Sequence, residues 1–345
     1  MMVYLQRWSM VAASGLLVTA LILGLAAGVP RLAVAQDHSL QKPLADRSLL
    51  LDGTAVGGLM VAVGERGHVL LSRDEGVSWS QANVPTRAAL TAVHFHDDQL
   101  GWAVGHDAVI VRTRDGGESW ELLHFAPEEE RPFLDVWFRD ADNGFVIGAY
   151  GYFLKTEDGG DSWAEFAITS SEESESDDYD YDYGADLHLN DISRSASGNL
   201  YIAAEAGSVY RSDDGGESWV LLPSPYRGSF FGTLPLEGDA LLLFGLRGHL
   251  FRSDDAGDSW QAIETGSEAL LTSGLQLDDG TIVIAGLAGT LLVSSDGGRS
   301  VELRPLADRQ GLTRVLGTSG GDLVTVGEFG VNLLPAHVFR GGDGR

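Results

Sequence analysis

The chain has 345 residues, 44% of them hydrophobic, no cysteine and a formal net charge of -27. The missing cysteines exclude disulfides, thiolate nucleophiles and Cys-ligated metals, and the acidity argues against general binding to nucleic acid or anionic lipid. Forty-five glycines against ten prolines suit a protein of many tight turns rather than a disordered one.

The first segment reads as a leader. "MMVYLQRW" carries Arg7 and no acid, an apolar run follows from Met10 to Val29, and Ala33-Val34-Ala35 precedes Gln36. That is the pattern of a secretory signal peptide over residues 1–35. The run is also long enough for an uncleaved anchor, and both readings stay open. No cysteine follows it, which excludes a lipoprotein. Either way the remainder is expected outside the cytoplasm, periplasmic or secreted.

From Ser72 onward one eight-residue stretch recurs: "SRDEGVSW", "TRDGGESW" from Thr113, "TEDGGDSW" from Thr156, "SDDGGESW" from Ser212, "SDDAGDSW" from Ser253 and "SSDGGRSV" from Ser294. The starts are spaced by 41, 43, 56, 41 and 41 residues. The long interval holds "SSEESESDDYDYDYGAD", residues 170–186, a run acidic enough to predict disorder. Its Asp178, Asp180 and Asp182 match calcium loops poorly, and no metal site or cofactor is expected. Before each stretch a glycine-rich turn joins two apolar runs, as in "VAVGERGHVLLS". A seventh copy, "VTVGEFGVNLLP", begins at Val324 without the motif. Each unit reads as four short strands with no long helical period. Four-stranded units repeating about every 41 residues predict an all-β, seven-bladed β-propeller over residues 36–340. The last unit lacks its outer strand. Alignment of "HSLQKPLADRSLLLDG" with "WSQANVPTRAALTAVHF" predicts that His38–Pro43 supply it and close the ring.

A motif copied six times is a structural device, since a catalytic motif is normally needed once. Asp74, Asp115, Asp158, Asp214, Asp255 and Asp296 are placed to accept turn amides. Trp79, Trp120, Trp163, Trp219 and Trp260, five of the eight tryptophans, end the motif and are expected to pack between blades; Val301 takes that place in the sixth copy. These residues resemble the Asp-box, S/T-x-D-x-G-x-S/T-W, of sialidases, sortilin-type receptors and the family of the photosystem II assembly factors Ycf48 and Hcf136. The longer units "LTAVHFHDDQLGWAVGHDAVIVRTRDGGESW" and "FLDVWFRDADNGFVIGAYGYFLKTEDGGDSW" resemble the Ycf48-like repeat. The resemblance covers nearly all of 38–335. It implies an exported, non-enzymatic, seven-bladed protein that binds a protein partner and helps membrane complexes assemble. The acidity and the acidic insertion depart from that family's pattern, and the photosynthetic role does not transfer with it.

Propeller function concentrates on one face, and here the inter-blade connections carry a recurrent cation. Arg47, Arg87, Arg131, Arg227 and Arg309 stand three residues before a first strand; Asp186 and Glu268 fill the other two slots. Guanidinium groups gathered at one opening suit carboxylate or phosphate. Equally, duplication copies an arginine that pairs within its own blade. The acidic insertion belongs to the same face and is a candidate tethered competitor for it. Enzyme signatures are weaker: no Arg-Ile-Pro motif, no assignable Tyr–Glu pair, no carboxylate pair that stands out, and His94 with His96 but no third zinc ligand. The expectation is therefore a monomeric binding propeller for a membrane protein or its exposed segment, without catalytic residues. A secreted Asp-box glycoside hydrolase, sialidase-like or glucanase-like, is the alternative.

Overall fold

The computed structural model describes residues 37–168 and 187–340. The leader and the insertion at 170–186, with Asp178, Asp180, Asp182 and the slot residue Asp186, lie outside the described residues. The rest forms seven antiparallel sheets, each built from sequence-consecutive strands. Blade 1 comprises Leu50–Val56, Leu59–Gly64, Val69–Ser72 and Ser80–Gln81. The innermost strands of the later blades are Leu90–Phe95, Phe133–Phe138, Leu189–Arg194, Phe230–Pro235, Leu271–Gln276 and Leu312–Gly317. Second strands such as Leu59–Gly64 and Leu241–Gly245 are buried along their whole length. They read as unbroken apolar runs because a neighbouring blade covers each face.

The repeated motif makes one turn six times over. In blade 2 the Thr113 hydroxyl donates to Asp115 Oδ1 (2.8 Å) and accepts from the amide of Gly117 (2.9 Å). Asp115 in turn accepts from the Ser119 amide (2.9 Å) and hydroxyl (2.5 Å). The same bonds recur around Asp74, Asp158, Asp214, Asp255 and Asp296. The turn's second glycine lies against the preceding blade. A methyl group on Gly76 would come within 2.3 Å of Val324, and one on Gly216 within 2.2 Å of Phe145. The motif tryptophan enters the same seam. Trp120 packs with blade 1, Trp163 with blade 2, Trp219 with blade 3, Trp260 with blade 4 and Trp79 with blade 7. Val301 lies at the seam of blades 5 and 6.

A cation just before the motif start, or in blade 1 at the motif's second residue, reaches forward to the next blade's motif. Arg73 bonds Glu118, Arg112 bonds the Gly159 carbonyl and Asp161, Lys155 bonds Glu217, and Arg211 bonds the Ala256 carbonyl and Asp258. Arg252 bonds the Gly297 carbonyl. In blade 6 the residue before the motif is Val293, and blade 7 has no motif to receive a cation.

The ring does not close as the alignment predicts. Blade 7 has three strands, Leu312–Gly317, Leu323–Gly327 and Gly330–Leu334. Residues 37–44 form no strand and lie along blade 1: Ser39 N donates to Val84 O (2.8 Å), Gln41 Nε2 to Ala82 O and Gln81 Nε2 to Leu40 O (both 3.0 Å). The alignment is sound only from the 3-10 turn Ala45–Arg47 onward, where the chain enters blade 1. Before it, the Gln41 and Gln81 side chains fasten the segment to blade 1. Closure comes instead from the innermost strands, each of which neighbours the next, the seventh lying beside the first. Side chains stitch these strands in one direction. Asp52 accepts from Val93 N (2.9 Å), Thr91 donates to Phe133 O (2.7 Å), and Asp135 accepts from Ile192 N (2.8 Å). Asp191 accepts from Thr233 N (3.0 Å), Thr272 donates to Leu312 O (2.8 Å), and Thr313 completes the circle on Leu50 O (3.1 Å). Between blades 5 and 6 the inner strands share no such bond among the described residues; the Phe244 ring fills the space beside Gly232.

Replacing Trp120 by alanine should destabilise the protein by about 3–5 kcal/mol, as large-to-small core changes do. Val301→Ala, with fewer atoms to lose, should cost less. Chemical denaturation of the two variants checks the order.

Candidate functional site: the arginine-bearing face and the channel mouth

One backbone bond recurs in all seven blades and defines this face. The residue after the second strand donates its amide to the carbonyl just before, or one residue before, the first strand. Glu65 N to Leu49 O, His106 N to Ala89 O and Glu205 N to His188 O are examples, and Glu328 N to Gly311 O (3.1 Å) is the seventh. The turn between second and third strands therefore lies against the inter-blade connection. At Gly64, Gly105 and Gly327 that carbonyl would stand 2.0–2.3 Å from any side-chain carbon, which is why glycine ends the second strand. The next residue but one, Arg66, Asp107, Tyr150, Ala206, Arg247 or Ala288, has φ between 53° and 59° and forms the turn's tip.

All five arginines lie on these connections, but Arg131 stands two residues before Phe133, so Glu130 fills the slot of blade 3, and the surroundings of the five differ. Arg131 is bound within its own region: Nη2 lies 2.6 Å from Glu129, Nη1 lies 3.4 Å from Glu165, and the guanidinium sits 3.8 Å above the Tyr152 ring. Arg87 donates to His38 O (2.9 Å) and lies 3.5 Å from Asp37. Arg47, Arg227 and Arg309 are exposed, and no ion pair or hydrogen bond holds their guanidinium groups among the described residues. Glu268 is exposed in its slot. The expected ring is therefore divided into two tethered arginines and three open ones. Sequence reasoning passed over Arg66 and Arg247, which stand on turn tips of the same face, and Tyr150, 53% exposed with its ring edge-on to His188 at 4.9 Å. Their signal was the third residue of the "GERG", "GLRG" and "GAYG" turns.

A second group missed by sequence lines the channel. Every innermost strand is irregular at its third residue, where the register shifts. That position holds Asp52, Ala92, Asp135, Asp191, Gly232, Ser273 and Arg314 in blades 1 to 7. Arg314 Nε lies 3.3 Å from Asp52 Oδ1, and this neighbour holds its guanidinium in the charged form. One arginine does not balance three carboxylates. Burial, then Asp191 and Asp52, push the Asp135 carboxyl well above its ordinary range, and burial raises Asp52 and Asp191 despite Arg314. Each nevertheless accepts an amide from the following blade, so their use is to join blades. Among the described residues no group of histidines and acids has the arrangement of a metal site. His94 is half-buried with Nε2 unpartnered, stacks at 6.4 Å on Phe138, and is lowered by burial to about 4. His96 lies past the strand end, in the turn, and is exposed.

Over residues 71–133 and 126–270, more than half of the chain, the sequence matches the family described as photosynthesis system II assembly factor YCF48. The chain belongs to the Ycf48 family. A curated relative, the chloroplastic photosystem II stability/assembly factor HCF136 of Cyanidioschyzon merolae, is 35% identical over 95 residues, 26% of this chain and 22% of its own length. The match thus spans about a fifth of that relative. In fold, the chain resembles the solved structure of YCF48 bound to D1 peptide with a TM-score of 0.66 and 19% identity, covering 87% of this chain and 96% of that one. A likeness at 14% identity and TM-score 0.64 to the GH74 xyloglucanase of Xanthomonas campestris, covering 86% of this chain and 53% of that one, is likewise one of fold alone. The Ycf48 family model stops at residue 270, before blades 6 and 7.

Acidification should lower the melting temperature in two stages. His94, lowered to about 4, stays neutral in the fold while the unfolded chain takes up a proton near 6.5, so stability is lost as pH falls between those values. Burial lowers His68 and His124 in the same sense. Serine hydroxyls and amides hold Asp158 and Asp214 at about 2 and lower Asp74, Asp255 and Asp296; Asp115 is lowered although burial opposes it. These carboxylates contribute above 3.8 and lose their contribution as pH falls towards 2. The raised channel acids act oppositely and soften the upper stage. Melting curves from pH 7 to 2 should show His94→Leu flattening the upper stage and Asp158→Asn the lower one.

Proposed function

We propose that this protein is an exported, non-enzymatic propeller that holds an anionic segment of a membrane protein on its arginine-bearing face while a membrane complex assembles. The observation that carries the reading is the open state of Arg47, Arg227 and Arg309 in a chain of net charge -27. On the motif face, Arg73, Arg112, Lys155, Arg211 and Arg252 are held in contacts between blades. Exposed guanidinium groups without partners are suited to bidentate carboxylate recognition. Membership of an assembly-factor family and the D1 peptide named in the YCF48 complex support a protein ligand. The leader pattern of residues 1–35 supports a site of action outside the cytoplasm.

A D1 peptide is the first probe. The double variant Arg227→Ala, Arg309→Ala should weaken its binding by several kcal/mol, since hydrogen bonds to charged groups contribute about 1.5–3 kcal/mol each. Binding to the unaltered protein should weaken with added salt, and the melting temperature of the variant should stay near that of the parent. Unchanged affinity with a lowered melting temperature would make these arginines structural. Turnover of sialosides or glucan oligomers, abolished by one carboxylate substitution, would replace the binding reading with a hydrolase.

A further inference from the structure

We propose that the third strand of blade 7, Gly330–Leu334, is a docking edge that takes the extended carboxyl-terminal segment of a partner protein as the blade's missing fourth strand. The proposal builds on the reading above, because the segment's terminal carboxylate would reach the same arginine-bearing face. In blades 1, 3, 4 and 6 the third-strand carbonyls of Val69, Phe153, Val209 and Leu291 accept amides from the fourth-strand side, those of Ala82, Phe166, Leu222 and Arg304, at 2.7–2.9 Å. Each of these four pairs with the residue just before the end of its second strand, as Val331 pairs with Val326. Val331 is thus their counterpart, and Leu333, which pairs with Val324, is the counterpart of Leu71, which in blade 1 pairs with Ser80. Among the described residues no strand meets this side of blade 7.

Exposed edges are normally blunted by charge, lysine, proline or a covering element. Gly330-Val331-Asn332-Leu333-Leu334 has no charge and no proline in a chain that is 21% charged. The helical turn Ala336–Phe339 buries Phe339 among Leu277, Val283 and Leu291, but Leu333 remains 43% exposed and Phe329 57%. Beside the edge is a cleft of about 180 Å³, whose lining combines Leu306, Leu312, Phe329 and Leu333 with the polar Thr325 and Asn332. An added strand offers main-chain bonds to the edge and one apolar side chain to the cleft, the general mode of strand addition.

Direction selects the occupant's end. In the six complete blades the fourth strand runs antiparallel to the third. A strand added in that sense finishes where the third strand begins, at Gly330, on the arginine-bearing face. There the backbone of Asp46 and Arg47 lies against Gly330, and Arg309 stands between the cleft-lining Asp308 and Gln310. Arg47 and Arg309 are two of the three open arginines. Asp46 and Asp308 beside them disfavour further acids, which leaves an uncharged, β-prone body with a single carboxylate at its end.

The probe is the peptide Ac-TVSVTV with a free carboxylate, compared with its amidated twin by calorimetry on the full chain. The acid should bind at least about tenfold more tightly than the amide. Leu333→Lys, which puts an edge-blocking charge on the strand, should weaken both by about tenfold or more. Arg47→Ala with Arg309→Ala should bring the acid down to the level of the amide. In the unaltered protein, the acid should slow hydrogen exchange at the Leu333 amide, a readout that needs no variant. Failure of either peptide to bind, an unprotected Leu333 amide, or unchanged binding by Leu333→Lys would overturn the docking edge, whatever the arginines do. Loss of binding in Leu333→Lys with an unchanged acid-to-amide ratio in the arginine double variant would keep the edge and remove both the carboxylate end and the arginine reading on which it rests. Sedimentation as a dimer that Leu333→Lys returns to monomer would assign the edge to a second copy and overturn the proposal.

Discussion

A four-stranded blade has two apolar faces and can bury neither by itself. Every strong feature of this protein serves the seam between one blade and the next. The second glycine of each motif allows the turn to lie against the preceding blade, and the motif tryptophan or valine fills the space so created. The cation before the motif then reaches the other way, onto the following blade's turn. Each blade is thus fitted to both neighbours by one short stretch of sequence. Repeats that cannot bury their faces alone gain stability chiefly from such nearest-neighbour contacts.

The seams are not equivalent. Blades 1 to 5 pass a cation forward, and blade 6 has none because blade 7 lacks a turn to receive it. The seam between blades 7 and 1 is held by Thr313 on Leu50, by Arg314 beside Asp52, by Ser319 on Glu75 and by Val324 against Gly76. The channel carboxylates carry an electrostatic cost, since burial and mutual repulsion raise Asp135 and Asp191. The amides they accept offset that cost and fix the stagger of adjacent inner strands. A polar stitch that also sets register resembles the role of buried polar groups in specifying one arrangement over its neighbours.

The distribution of charge follows from the same construction. The motif supplies acids to one face in blades 1 to 6, and that face also contains the cations that bind them. On the opposite face the connections carry arginines whose acids differ from blade to blade, so Arg131 is satisfied by Glu129 and Glu165 while Arg227 meets no acid among the described residues. A repeat protein can in this way keep one face structural and let the other diverge for recognition, because the two faces are built from different parts of the same unit.

The sequence by itself determined the seven blades, the six motif turns, the place of the tryptophans and the presence of arginines on the inter-blade connections. These are local or periodic properties: a hydroxyl two residues before an aspartate, a glycine where a turn needs it, an apolar run at a fixed spacing. Three matters were decided only by tertiary structure. Which arginines are held depends in part on groups far along the chain, as Asp37 and His38 are from Arg87. The channel group depends on bringing residues 52, 135, 191 and 314 to one axis, and no sequence spacing shows that Asp52 meets Arg314. The docking place of the short amino-terminal segment depends on which blade offers it more bonds. Its similarity to other outer segments pointed to blade 7, but the Ser39 backbone and hydroxyl and the Gln41 and Gln81 side chains bind it to blade 1. Local chemistry repeats with the sequence, whereas contacts between distant segments are set by competition among docking places that only the folded chain presents together.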